Sequence, residues 1–233
     1  MSETNPYQTP QSNLEEVQQP GNYQLNPDWD LGDVFKEAWE LTKEYKLAMW
    51  GAFLIYIGIS VAIGLPFEFI ENKESPIIVL VSQIIIGLVT YPLGVGVTMM
   101  GVRRSVGLPV NAFMVFDYYP KTIPIFLLYL LMMIMIVLGF LLLVIPGIYL
   151  AVAYSMAVPL MIEKNMRLWE ALETSRKAIH KCWFGMFGFY LVLGVILLVS
   201  IIPLGIGLIW SMPFLFISMG IVYRSLFGVG RTF

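Results

Sequence analysis

The sequence predicts an all-α integral membrane protein of about six transmembrane helices, with two or three amphipathic helices at the cytoplasmic interface. Three observations predict it. Hydrophobic residues make up 58% of the 233 positions, and the mean hydropathy is +0.76. The apolar runs are long and free of charge: no Asp, Glu, Lys, Arg or His falls inside 47–65, 77–102, 123–144, 148–162, 184–202 or 204–223. Finally, of the 14 Lys and Arg residues, Lys73 alone falls on the opposite side once those runs are drawn as spans. Lys36, Lys43 and Lys46 precede the first span, and Arg103, Arg104 and Lys121 follow the second. Lys164, Arg167, Arg176, Lys177 and Lys181 follow the fourth, and Arg224 and Arg231 follow the sixth. Lys and Arg concentrate on the cytoplasmic side of membrane proteins, so both termini are placed in the cytoplasm.

Residues 1–27 read as a disordered cytoplasmic tail. They are rich in Asn, Gln, Pro, Ser and Glu, and bury too little apolar surface to offset the entropy of ordering. The first 46 residues hold no apolar core of signal-peptide type, so the first span is expected to act as an uncleaved insertion signal. From Asp28 onward, Leu31, Phe35, Ala38, Trp39, Thr42 and Tyr45 recur at helical spacing, with Lys36, Glu40 and Lys43 on the other face. Asp28, Asp30 and Asp33 suit the positive end of the helix dipole. This segment reads as an amphipathic helix lying at the interface and leading into span one.

A short acidic connection with Glu68, Glu71 and Glu74 around Lys73 follows span one. After span two, Asn111, Ala112 and Phe113 precede span three, with Pro120 and Pro124 bounding any helix there. Ile145, Pro146 and Gly147 are expected to turn span three into span four, and Pro203, Leu204 and Gly205 to turn span five into span six. Between spans four and five, Leu168, Leu172, Ser175, Ile179 and Cys182 form a second amphipathic stripe, with Glu173 and Lys177 at ion-pair spacing. The two amphipathic segments match at an offset of 133: Glu37, Ala38, Trp39 and Glu40 face Glu170, Ala171, Leu172 and Glu173, and Trp50 faces Trp183. The membrane domain, 28–233, thus reads as parallel repeat units at about 28–102, 110–162 and 163–227.

Several function classes lose support. Spans without ionisable groups argue against a proton pump or a carboxylate-driven antiporter. The single Cys182 permits no internal disulfide. His180 is the only histidine, and no Cys/His cluster accompanies it. No hydrolase elbow, phosphate-binding Gly-Lys or zinc motif is present. Glu37, Glu40, Asp117, Glu163, Glu170, Glu173 and His180 are the candidate acid–base groups, at the spacing of solvated helix faces. The chain reads as a non-enzyme without cofactor or metal, and no nucleic-acid partner is expected.

Two sets of candidate residues remain. Arg103, Arg104, Arg167, Arg176, Lys177 and Lys181, with Trp169 and Trp183, compose a basic and aromatic surface suited to anionic lipid headgroups. Gln83 and Ser155 are the polar residues around which a central cavity would form; Gly94, Gly96, Pro92, Pro159 and Pro213 serve either broken helices or close packing. The first set points to a protein acting through lipid, a membrane-protein partner or its own homo-oligomer. The second points to a transporter or channel for a small neutral or amphipathic solute.

The stretch running from Pro146, Gly147, Ile148, Tyr149 and Leu150 through Pro159, Leu160 and Glu163 to Trp169, Glu170, Ala171, Leu172, Ser175 and Arg176 resembles a family of bacterial multi-span proteins. It includes the YciC-like inner-membrane proteins and the membrane domain attached to some glycerophosphoryl diester phosphodiesterases. The shared pattern is Pro-Gly opening a span, Pro-Leu near its inner end, then a helix with Glu-Ala-Leu and a Ser followed by a basic residue. The resemblance implies a bacterial inner-membrane location. It implies no activity, and the catalytic domain of those phosphodiesterases is absent.

Overall fold

A computed structural model describes residues 29–70 and 75–230. The reading of 1–27 as a tail, and the positions of Asp28, Glu71, Lys73, Glu74 and Arg231, lie outside the described residues. Among the described residues eight α-helices follow in order: α1 (Leu31–Glu68), α2 (Pro76–Ser105), α3 (Thr122–Leu142), α4 (Val144–Ala153), α5 (Ala157–Glu163), α6 (Leu168–Lys181), α7 (Trp183–Ile201) and α8 (Leu208–Phe227). Two 3-10 turns, Ala112–Phe116 and Tyr119–Lys121, lead into α3. No strand occurs among the described residues. Six stretches are long and apolar enough to cross a membrane: Tyr45–Glu68, Pro76–Ser105, Ala112–Leu142, Val144–Glu163, Trp183–Ile201 and Leu208–Phe227.

α1 is two helices joined at Tyr45, whose φ of −122° and ψ of 16° leave the helical region. The Asp30 carboxylate caps the first half by accepting the Asp33 N–H at 3.1 Å. That half buries Val34, Ala38 and Thr42. It lies across α7 and α8, with Phe35 against both Phe189 and Phe214. α6 repeats the arrangement before α7. Its break falls at Cys182, with φ −128° and ψ 30°. The caps Asp30 and Arg167, and the breaks Tyr45 and Cys182, are both 137 residues apart. The structural register therefore differs by four residues from the 133 of the sequence match. Four residues is about one helical turn, so the apolar face is kept. In the structural register Val34 and Ala171, Ala38 and Ser175, and Thr42 and Ile179 are all buried pairs.

α8 is the central helix, packed on α2, α1 and α7. It can approach α2 closely because a Cβ on Gly101 would meet the Phe216 carbonyl, and one on Gly220 would meet the Gly101 carbonyl. Small residues at both positions let the two backbones touch. Gly96 in turn seats the backbone of Val115, drawing the 3-10 segment against α2. At 30 residues, α2 is about 45 Å long, longer than the roughly 30 Å hydrocarbon layer. Its Pro76 end is exposed and apolar, with Ile77, Leu80 and Ile84 on the surface. Its Ser105 end is buried among the other elements.

One of the two expected turns sits elsewhere. α3 and α4 are joined by Leu143 alone, in an extended conformation of φ −164° and ψ 155°. Pro146 and Gly147 fall inside α4, where proline in a first turn sacrifices no helical hydrogen bond. Gly139 and Gly147 then let α3 and α4 meet backbone to backbone. Between α7 and α8 the turn does use Leu204 and Gly205, both at positive φ, so span six begins at Leu208 and not at 204. Pro92 and Pro213 leave α2 and α8 unbroken. A span interrupted inside its length is the fourth, where Tyr154, Ser155 and Met156 separate α4 from α5.

Candidate functional site

The charges gather at one end of the bundle, where the Ser105 end of α2, the 3-10 turns, α6 and the ends of α5 and α8 converge. Two adjoining cavities there share Lys121. The first, about 500 Å³, is lined by Lys121, Pro124, Met161, Met166, Arg167 and Trp169, among others. The second, about 300 Å³, is lined by Arg103, Asp117, Tyr118, Lys121 and Glu163, with Pro120 and Ile162. Thr122 starts α3 immediately after Lys121, and the exposed apolar face of α3 begins at once with Ile123 and Leu127. The Lys121 ammonium thus stands at the foot of a surface built for hydrocarbon. Its hydrogen-bond partner is the neutral Asn165 Oδ1, at 3.2 Å. Asn165 reaches it from the α5–α6 turn at φ 52°, a conformation Asn tolerates better than most residues.

The surroundings of these cavities are fixed by polar contacts between elements. Glu163 ends α5 with its side chain 3% exposed, ion-paired to Lys164 at 3.1 Å. It accepts the Tyr223 hydroxyl at 2.8 Å and the Gly230 N–H at 2.8 Å, tying α5 to the end of α8. Arg224 donates through both terminal nitrogens to Glu37, at 2.8 and 2.7 Å, and also to the Ser105 carbonyl. One guanidinium therefore links α8, α1 and α2. Such a bidentate pair fixes orientation as well as distance.

The expected basic surface is divided by the structure. Arg103, Arg167 and Trp169 line the two Lys121 cavities. Arg104 does not face outward: it is 5% exposed, and its guanidinium lies 3.8 Å from the Tyr45 ring centroid, under the α1 kink. Arg176 grips Glu173 with two hydrogen bonds, at 3.0 and 2.7 Å, and Lys177 lies 3.3 Å from the same carboxylate. These contacts hold the Glu173 carboxyl down at about 2 from its ordinary 4.5, the Arg176 hydrogen bond being the largest cause. Arg176 and Lys177 thus have an internal counterion. Lys181 and Trp183 belong to a separate cavity of about 370 Å³ with Tyr149, His180, Cys182 and Phe184.

In that third cavity the Tyr149 hydroxyl meets His180 Nδ1 at 3.0 Å, and Trp183 Nε1 donates to the Tyr149 carbonyl at 3.4 Å. Trp183 stacks on Phe187 at 5.2 Å between centroids. No carboxylate lines this cavity. Burial pushes the Cys182 thiol up, which lowers the fraction present as reactive thiolate. Among the described residues no group of His, Cys, Asp and Glu could hold a metal ion.

Gln83 is exposed on α2, between the surface residues Val81 and Ile84, and not in the bundle interior. Most span hydroxyls bond back to their own helix: Ser60 to the Tyr56 carbonyl, Thr90 to Ile86, Thr98 to Gly94, Ser200 to Ile196 and Ser218 to Phe214. Ser155 and Ser211 differ: their buried Oγ atoms bond to no helix carbonyl, and the Ser155 hydroxyl, at the α4–α5 break, lies beside that of Tyr190. From the sequence Lys121 reads as an orientation charge and Asp117 as one of several candidate acid–base groups. The available signal was their position, four residues apart and flanked by Tyr118 and Tyr119, directly before a lipid-facing helix.

No family model matches the chain, and no curated protein and no solved structure matches it.

Proposed function

We propose that this chain is a non-enzymatic, multi-span protein of the bacterial inner membrane that holds phospholipid headgroups at its cytoplasmic end. The observation that carries the reading is the paired cavity around Lys121. Cationic side chains of Lys121 and Arg167, with the amphipathic ring of Trp169, sit over an apolar wall of Pro124, Met161 and Met166. Cations above an apolar wall at the start of a lipid-exposed helix match the two halves of a phospholipid, phosphate and acyl chain. The one-sided Lys and Arg distribution supports a cytoplasmic position for this end. The bonding of span hydroxyls to their own helices leaves little polar lining for a solute path and favours this reading over a transporter.

The test is retention of phosphatidylglycerol by the purified full chain in native mass spectrometry. Lys121→Glu combined with Arg167→Glu is expected to lower retention about tenfold or more, with helical circular dichroism and elution volume unchanged. Arg176→Glu, at a residue already engaged by Glu173, is expected to change it much less. Equal retention by the wild type and the double variant would overturn the reading.

A further inference from the structure

We infer that the Lys121 site takes a zwitterionic phospholipid carrying a primary ammonium, with its phosphate on Lys121 and Arg167 and its ammonium on Asp117. The inference rests on the headgroup reading above and names the lipid class. Asp117 and Lys121 line one cavity of about 300 Å³, yet they form no ion pair with each other or with any other described residue. Opposite charges in one cavity that do not reach each other leave a gap with a positive and a negative wall. A purely anionic headgroup satisfies the first wall and is repelled by the second. A headgroup with both charges satisfies both.

The other carboxylate of the cavity is already satisfied. Glu163 is held by Tyr223, Gly230 and Lys164, so Asp117 is the acid left for a ligand. Asp117 terminates the first 3-10 turn, whose start is capped by the Asn111 side chain on the Phe113 N–H at 2.9 Å. Val115 of that turn is wedged on Gly96 of α2. The carboxylate is therefore carried on a short, anchored segment.

The cavity also selects among ammonium groups. A carboxylate accepts N–H hydrogen bonds, which a primary ammonium offers and a trimethylammonium does not. Quaternary ammonium is recognised instead by cages of several aromatic rings, and the ring lining this cavity is Tyr118. The lipid is favoured over a soluble phosphoamine by the apolar wall of the adjoining cavity, Pro124, Met161 and Met166, which a free headgroup would leave uncovered.

The experiment is native mass spectrometry of the full chain with phosphatidylethanolamine, phosphatidylcholine and phosphatidylglycerol of identical acyl chains. The wild type is expected to retain phosphatidylethanolamine best. Asp117→Asn is expected to lower that retention about tenfold, to the phosphatidylcholine level, and to leave phosphatidylglycerol unchanged or raised. Lys121→Gln with Arg167→Gln is expected to lower all three. Equal retention of phosphatidylethanolamine and phosphatidylglycerol by the wild type, with both lost in the Lys121 and Arg167 variant, would overturn the zwitterion inference and leave the headgroup reading standing. No change in any lipid on removing Lys121 and Arg167 would overturn the headgroup reading itself. Displacement of phosphatidylethanolamine by equimolar free O-phosphoethanolamine would overturn the lipid as occupant.

Discussion

At the scale of single residues, the charged end is organised by paired groups whose loss has a defined sign. Arg224 binds Glu37 with both terminal nitrogens, and their side chains are 31% and 39% exposed. At that exposure solvent screens the pair, so the coupling between them should be about 1 kcal/mol or less. A double-mutant cycle of Arg224→Gln and Glu37→Gln, read by thermal unfolding in detergent, measures it. Arg224→Gln alone should cost more than Glu37→Gln, because Arg224 also serves the Ser105 carbonyl. Glu173 gives a pH dependence. Its carboxyl is held at about 2 against an ordinary 4.5, so the stability it lends is present above the ordinary value and is lost as pH falls from there towards 2. Between pH 6 and pH 3 the wild type should lose more thermal stability than Glu173→Gln. Equal losses in the two proteins would show that the grip of Arg176 and Lys177 contributes nothing to the folded state.

At the scale of elements, the crossing of α2 and α8 is the contact most sensitive to a single atom. In an exposed helix, Gly→Ala gains about 0.5–1 kcal/mol by removing backbone freedom from the unfolded chain. At Gly101 the sign reverses, because the added methyl meets the Phe216 carbonyl of α8 and cannot be relieved by a rotamer change. Overpacking of this kind costs about 1–3 kcal/mol. Gly101→Ala should lower the thermal midpoint, while Gly58→Ala and Gly194→Ala, where nothing lies within 4 Å of the new methyl, should hold or raise it. The spans themselves were legible in the sequence, since long charge-free runs have no soluble alternative. So was the amphipathic stripe of α6, whose buried Leu172, Ser175 and Ile179 follow helical spacing. The Leu143 turn was not legible. Pro146 and Gly147 resemble turn residues, but a proline in a first helical turn and a glycine at a helix contact carry the same letters. Nor was the role of Lys121, because a cation before a span reads as a topology signal until the α5–α6 turn is folded against it. The sequence match at 133 and the cap and break spacing of 137 turn the same face inward, since a shift of four residues leaves a helical face in place.

At the scale of the whole molecule, orientation is the property on which the functional reading depends, because a site at the charged end meets the headgroups of one leaflet only if that end faces it consistently. The arrangement has two features that resist inversion. The basic residues are spread over α1, the α2–α3 turns, α6 and the end of α8, so reversing the chain would carry every one of these clusters across the hydrocarbon layer. The opposite end carries apolar tips, among them Leu143, Ile202 and Leu204, which are exposed and uncharged. Single cysteines in a Cys182→Ser background report the outcome. Phe69, 85% exposed at the end of α1, and Lys177, 67% exposed on α6, stand at the two ends. In right-side-out inner-membrane vesicles an impermeant maleimide should label Phe69→Cys and spare Lys177→Cys, and in inside-out vesicles the pattern should reverse. Labelling of Lys177→Cys from the outside would place the Lys121 cavities in the outer leaflet and remove the basis for a cytoplasmic headgroup site. Labelling of both positions from both sides would mean a mixed population, which the spread of charge over four segments predicts against.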